Sequence, residues 1–408
     1  MPNQIVPITA KQLHQLHDVL RTAFGGEPVS EIDDRHIIDP ERFFAVSDGK
    51  DLIGAAGAYT FDLTMPGGAA LPVAGVTWVG VLPSHRRQGI LRKMMKHQLD
   101  DVVRRGESAA VLTASEGAIY SRFGYGVASQ VAQVEISRSR AELVAVPVVA
   151  GRYRVGGLDD AQVKRMAGVY DAWRRQRPGA ISRAEGVWKI YQLDRESHRF
   201  GGGMTYSVVH EDRRGNPDGY ARYNYKTTDV FNEKTVNVIE VIAVDPEVEA
   251  ALWAYLLDLD LTAKVVALFQ PVDDQLQWRL ADPRAYDVKW LDDWLWARIL
   301  DVPAALTART YAHEGTVVLE VIDPFRPRGR AAGRFALQVG PDGATCSKTK
   351  AAPDVTLSIE VLSSMWLGAV PLSTYARAGR AHVSDPAVTL VVDDLFRSAP
   401  MPFCNTGF

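Results

Sequence analysis

Apolar and polar positions repeat with two different periods along this chain, and each change of period marks an element. From Val76 the run Val-Thr-Trp-Val-Gly-Val is apolar and β-branched, which predicts a buried strand, and Pro83 ends it because proline cannot donate to a strand ladder. Past the loop Ser84-His85-Arg86-Arg87-Gln88-Gly89, the residues Ile90, Leu91, Met94, Met95, Leu99, Val102 and Val103 recur at helical spacing. Lys93, Lys96, Asp100 and Arg104 take the other faces. A second buried strand, Ser108–Thr113, precedes a short helix from Ser115 to Arg122, with Ser115 as the expected N-cap, and then the turn Phe123-Gly124-Tyr125-Gly126. Upstream, Leu13, Leu16, Leu20 and Phe24 form the stripe of a helix beginning at Thr9. Phe43–Val46 and Leu52–Leu63 flank a hairpin turn, and Val131–Ile136 reads as a closing strand before a linker from Val144 to Arg152.

The middle of the chain carries a fainter echo. Val238–Pro246 has the texture of the strand at Val76, and Ala250–Leu261 reads as the helix after it. Glu247 and Glu249 stand where the first copy has arginines and glycine, and acids at a helix start repel phosphate. Any buried strand followed by a helix would look similar, so the pattern alone leaves the repeat open. From about Asp293 the texture changes: Thr316–Asp323, Gly333–Val339 and Asp354–Ile359 read as short strands. Helical stretches follow at Val361–Leu367 and Ser373–Arg377, then a last strand at Gly379–Val383.

Composition sets bounds around this pattern. With 408 residues the chain exceeds one comfortable core, so two or three domains are expected. It is 47% hydrophobic and 23% charged with a formal net charge of −3, which gives no footprint for nucleic acid or an anionic membrane. There is no 18-residue apolar run and no secretory pattern at the start, so a cytoplasmic protein is expected. Cys346 and Cys404 are isolated, and neither a disulfide framework nor a metal site is expected.

The chemistry concentrates between Val76 and Gly126. A helix start exposes unpaired N–H groups and partial positive charge, a glycine lets an anion approach, and arginines add charge-assisted contacts. Through Arg86-x-x-Gly89-x-Leu91, the long helix, the second strand and Ala-Ser-Glu-Gly-Ala-Ile-Tyr-Ser-Arg-Phe-Gly-Tyr-Gly, the chain resembles the GNAT acetyltransferases. The segment Ser-His-Arg-Arg-Gln-Gly-Ile-Leu, the three-part layout and the terminal phenylalanine are similar to the enhanced intracellular survival (Eis) family of N-acetyltransferases.

That resemblance implies an α/β (α+β) fold of two fused GNAT-type units followed by a sterol-carrier-protein-like domain, at 1–148, 149–292 and 293–408. The second unit would lack a cofactor site, and the third would supply the terminal carboxylate. Acetyl-CoA is the implied cosubstrate, held by Val79, Gly80, Val81, Arg86, Arg87, Gln88, Gly89, Ile90, Leu91, Arg92, Ser115 and Glu116. Tyr120 is the implied proton donor, with Tyr125 its rival, and the carboxylate of Phe408 the implied proton acceptor. Trp78, Glu27 and Asp293 are expected on the substrate side, with Asp33, Asp34 and Asp292 as further acids. The expected reaction is acetyl transfer to a primary amine of a cationic substrate, an aminoglycoside first, in a homohexamer. Acetylation of protein lysines or a small metabolite amine, or acetyl-CoA or lipid sensing without turnover, are the alternatives. Gly407 stands where some family members carry a carboxylate, which argues against broad, multi-site acetylation.

Overall fold

The computed structural model describes residues 3–26, 33–49, 51–228, 230 and 233–408. The chain forms two compact units, the first from Met1–Ser129, Asp293–Ala399 and Thr406–Phe408, the second from Gln130–Asp292 and Pro400–Asn405.

The first unit holds two sheets. One runs in the order β1 (Gln4–Pro7), β2 (Phe44–Asp48), β3 (Asp51–Thr64), β4 (Ala70–Val81), β5 (Ala109–Thr113), β14 (Leu295–Ile299), β6 (Gly126–Val127). Among the described residues, only β4 and β5 pair in parallel within it. The connection between these two is the helix α2 (Ile90–Arg104), the crossover that parallel strands require. Its Met95, Leu99 and Val102 pack with Ala74, Val76 and Ala110 of the sheet, whereas Val103, which the spacing places on the apolar stripe, is 37% exposed. The helix α1 (Leu13–Phe24) starts one turn later than the Thr9 signal because Ala10–Gln12 form a 3-10 turn, with Thr9 and Gln12 making a capping box. β14 enters this sheet from far along the chain. All five of its residues are buried, and the Arg298 guanidinium donates through its two terminal nitrogens to Asp323 at 2.5 Å and the Ile299 carbonyl at 2.8 Å. The other sheet, Gly343–Lys348, Gly333–Gly340, Gly315–Ile322, Val355–Ser358 and Ala381–Val383 in spatial order, contains the four strands expected of the last third and one more, Gly343–Lys348, that the sequence reading does not give.

The second unit has one sheet of order β13 (Asp287–Asp293), β7 (Gln130–Ser137), β12 (Thr262–Gln270), β11 (Lys234–Ala243), β10 (Pro217–Lys226), β9 (Tyr206–Asp212), β8 (Gly151–Gly156). The helices α4 (Asp160–Arg174) and α6 (Pro246–Leu257) pack on it, and α5 (Glu185–Gln192) packs against α4. The strand at Val131–Ile136 does not close the first sheet but pairs with β12, Ile136 opposite Val265, and buries Val134 and Ile136 in the second core. Alternation predicts a strand but not the sheet it joins. β11 and β12 pair in parallel and α6 follows β11, so the second unit repeats the strand–helix–strand order of the first.

Candidate active site

The site of the first unit begins with a defect in β4. Gly57 faces Thr77 and Ala55 faces Gly80, so two residues, Trp78 and Val79, stand opposite Ala56 alone. That is a β-bulge, and it puts Trp78 at φ 56, a left-handed conformation costly for a bulky side chain. The ring is pinned edge-on by Phe43 at 5.5 Å and His17 at 5.8 Å. Ahead of the bulge β4 already parts from β5: the parallel pairing covers only Ala74–Ala110 and Gly75–Val111. A wedge opens where the next pairs would stand, and its backbone groups on β4 are available to an extended ligand.

The wedge is the mouth of a cleft of about 470 Å³. Val79, Gly80 and Val81 line one wall, Ser115, Glu116, Ile119 and Tyr120 the other, and Arg86, Arg87, Gly89 and Arg92 its end. Gly89 is the N-cap of α2 at φ 78, no side chain caps the helix, and its first turn holds no acid. Space around Gly89 is open, so an anion can come close to the first-turn N–H groups. Arg87 also takes a left-handed φ of 64, Arg86 is braced by the Ala23 carbonyl at 2.9 Å, and Arg92 lies 5.0 Å over the Phe325 ring. Arg86 and Arg92 are thereby held at the helix start. Gln88 is exposed and stands outside the lining. Phe24, expected in the apolar stripe of α1, is 61% exposed and lines this cleft instead.

On the opposite wall the helix α3 (Gly117–Tyr120) continues as a 3-10 turn, Ser121–Phe123. Glu116, not the expected Ser115, is its N-cap, and without a side-chain bond. Both remain exposed at the cleft. Tyr120 is 7% exposed, lines the cleft, and has its phenol pushed up to about 12 by burial and by the charge of Glu116. Its ring meets Tyr125 edge-on at 5.9 Å. Tyr125 is fully buried, outside the lining, and raised further by its burial, so of the two phenols it is Tyr120 that reaches the cleft.

The end of the chain is ordered. An oxygen of the Phe408 carboxylate accepts a hydrogen bond from Thr113 Oγ1 at 3.0 Å, at the last residue of β5. The Phe408 ring packs on Phe61 at 5.0 Å, and Gly75 leaves room for both, since a Cβ there would stand 3.2 Å from the Phe408 ring. Rings then follow one another from Phe61 to Tyr59 at 6.0 Å, to Phe43 at 5.8 Å and to Trp78. Thr113 and Gly75 were not singled out in the sequence. A glycine within an apolar strand signals close approach and could have been.

Of the residues expected on the substrate side, Trp78 belongs to this aromatic run and not to the cleft lining. The Asp293 carboxylate is engaged by the Trp296 indole N–H. Glu27 lies outside the described residues, as do the side chains of Asp33 and Asp34.

A diphosphate with a pantetheine arm fits these features: an uncapped helix start, a glycine with open space, three arginines and an unpaired strand edge. The equivalent place in the second unit does not fit one. Asp245 caps α6, accepting from Glu247 N–H at 2.7 Å, and Glu247 and Glu249 occupy its first turn. Among the described residues, no cluster of three His, Cys, Asp or Glu could hold a metal ion, and no helix is long and apolar enough to cross a membrane.

Comparison with known proteins agrees with this geometry. Residues 4–128 and 179–299 each match an acetyltransferase (GNAT) domain family, and residues 302–405 match the sterol carrier protein domain family. The chain is 37% identical to an uncharacterized N-acetyltransferase of Streptomyces avermitilis, over 96% of both chains. It is 35% identical to N-acetyltransferase Eis of Mycobacterium tuberculosis, over 86% of this chain and 84% of that one. Among solved structures it resembles Eis1 from Mycobacterium abscessus with a TM-score of 0.87 and 33% identity, covering 99% of this chain and 100% of the other.

Proposed function

Because the chain belongs to the Eis family of GNAT N-acetyltransferases, enzymes that draw on acetyl-CoA, we propose that it acetylates a primary amine of a polycationic small molecule. Aminoglycosides are the expected class. When bound, acetyl-CoA supplies an acetyl group activated as a thioester. Arg86, Arg87, Arg92 and the first-turn N–H groups of α2 hold the diphosphate. The backbone of Val79–Val81 pairs with the extended arm.

The acid–base work falls to two groups. Tyr120 donates its hydroxyl proton to the departing thiolate, and its raised pKa keeps that proton available throughout the neutral range. The Phe408 carboxylate takes the proton released by the amine. An α-carboxylate with an ordinary pKa of roughly 3.5 is a weak base toward an isolated ammonium. Neighbouring ammonium groups in a polycation lower one another's pKa, which eases that transfer and favours a polycationic substrate over a monoamine. Trp78 and Phe408, the partly exposed ends of the aromatic run, are the rings that could meet such a cation, and the buried Phe43, Tyr59 and Phe61 behind them hold them in place.

The observation that carries this reading is the hydrogen bond from Thr113 to the chain's last carboxylate, which fixes a terminus that would ordinarily fray. The test is thiol release from acetyl-CoA across a panel of aminoglycosides, polyamines, lysine peptides and simple monoamines, with product masses. Turnover confined to polycations supports the proposal. Turnover only with lysine peptides or monoamines reassigns the substrate, and thiol release no faster than in buffer with every amine removes it.

A further inference from the structure

The second unit keeps a cleft where its strands part, about 300 Å³ beside the start of α6, and the chain's own residues Pro400, Phe403 and Asn405 line it. This segment is held at successive positions. Met401 N–H donates to Asp273 at 2.8 Å, and Phe403 N–H to the Pro178 carbonyl at 2.8 Å. Phe403 is 4% exposed under the Arg177 guanidinium at 5.5 Å, and Gly179, at φ 86, leaves room for its backbone. The last hold is the most specific. Asn405 accepts from Arg183 at 3.1 Å through Oδ1 and donates to Glu240 at 2.8 Å through Nδ2.

Both partners are buried and over-determined. Arg183 and Glu240 form a two-pronged pair at 2.9 and 3.2 Å, Tyr220 and Arg222 also donate to Glu240, and the Arg183 guanidinium lies 3.8 Å over the Tyr170 ring. A carboxamide is the one short side chain that offers a donor to the carboxylate and an acceptor to the guanidinium in one rigid plane. Three residues after it the chain ends, a reach of about 10 Å when extended.

We propose that Asn405, clamped between Arg183 and Glu240, is a positioning residue that sets the register of the terminal carboxylate. A GNAT-type unit unable to take a phosphate thereby serves to anchor the chain's tail. The proposal rests on the reading of Phe408 as proton acceptor. Asn405 touches no reacting atom and acts only through where it places Phe408.

Three variants test it by steady-state kinetics, with acetyl-CoA binding and melting temperature as folding controls: Asn405→Ala, one glycine inserted after Thr406, and deletion of Phe408. Misplacement of a catalytic group by about 1 Å costs up to about a hundredfold in rate. Asn405→Ala and the insertion should therefore each lower kcat by about tenfold to a hundredfold, with the KM for acetyl-CoA within about twofold of wild type. The insertion leaves the clamp untouched, so it decides the matter should Asn405→Ala fail to fold. Wild-type kcat in the insertion variant, with the Phe408 deletion inactive, overturns the anchor and spares the base. Wild-type kcat in the deletion variant removes the base itself and the anchor with it.

Discussion

Tyr120 and Tyr125 are separated by five positions and by one physical difference, access to the cleft. The motif around them makes either plausible from sequence, and burial distinguishes them: Tyr125 is enclosed, while Tyr120 lines the cleft. Tyr120→Phe should lower kcat by about a hundredfold to a thousandfold, the usual scale for a lost general acid, with acetyl-CoA affinity nearly unchanged. Tyr125→Phe should leave kcat close to wild type. Because the phenol of Tyr120 is raised to about 12, kcat should show no alkaline limb from it up to about pH 10, where an unperturbed tyrosine would already be titrating. A limb at pH 10 or below that disappears in Tyr120→Phe would mean the phenol is not shielded as described. Glu249 gives the second unit a pH signature of its own. Burial first, and then Asp274, push its carboxyl from 4.5 up to about 7. The neutral carboxyl's contribution to stability is complete below pH 4.5 and is lost as pH rises through about 7. Calorimetry should therefore find Glu249→Gln more stable than wild type at pH 8, by roughly 3 kcal/mol at most, with the gap closing by pH 4.5.

At the scale of elements, the two strand–helix–strand copies show what makes one of them an anion site. The helices start in opposite chemistry: Gly89 with arginines around it for α2, Asp245 with Glu247 and Glu249 for α6. These residues were legible in the sequence because helix-start chemistry is local, set by a few neighbours in the chain. Reversing one of them should transfer the behaviour. Arg92→Glu puts an acid in the first turn of α2 and should raise the Kd for acetyl-CoA by about tenfold or more, less so at high salt, with the helix itself unharmed. Isothermal titration at two ionic strengths checks this. The bulge at Trp78 and Val79 was not legible, since nothing in Val-Thr-Trp-Val-Gly-Val marks a left-handed tryptophan; only the register against β3 reveals it. The same holds for β7 and β14, whose patterns say strand and whose sheets are decided by pairing over long sequence distances.

For the molecule as a whole, the three-part order of the chain differs from its division into compact units. β14 enters the first sheet, and the first unit thereby includes both the start of the chain and most of its last third. The tail then crosses the division, with Pro400–Asn405 in the second unit and Thr406–Phe408 in the first. Periodicity could not have revealed that path, because an apolar, uncharged tail reads the same wherever it packs. Its chemical consequence is that the last carboxylate, bonded to Thr113, becomes the proposed base. The most direct test replaces that carboxylate by a carboxamide through ligation of a synthetic C-terminal peptide, which keeps the Phe408 ring and backbone and removes only the charge. With a turned-over amine in hand, kcat of the amide form should fall at least about a hundredfold while acetyl-CoA binds as before. An amide-ended enzyme that turns over at the wild-type rate would contradict the account.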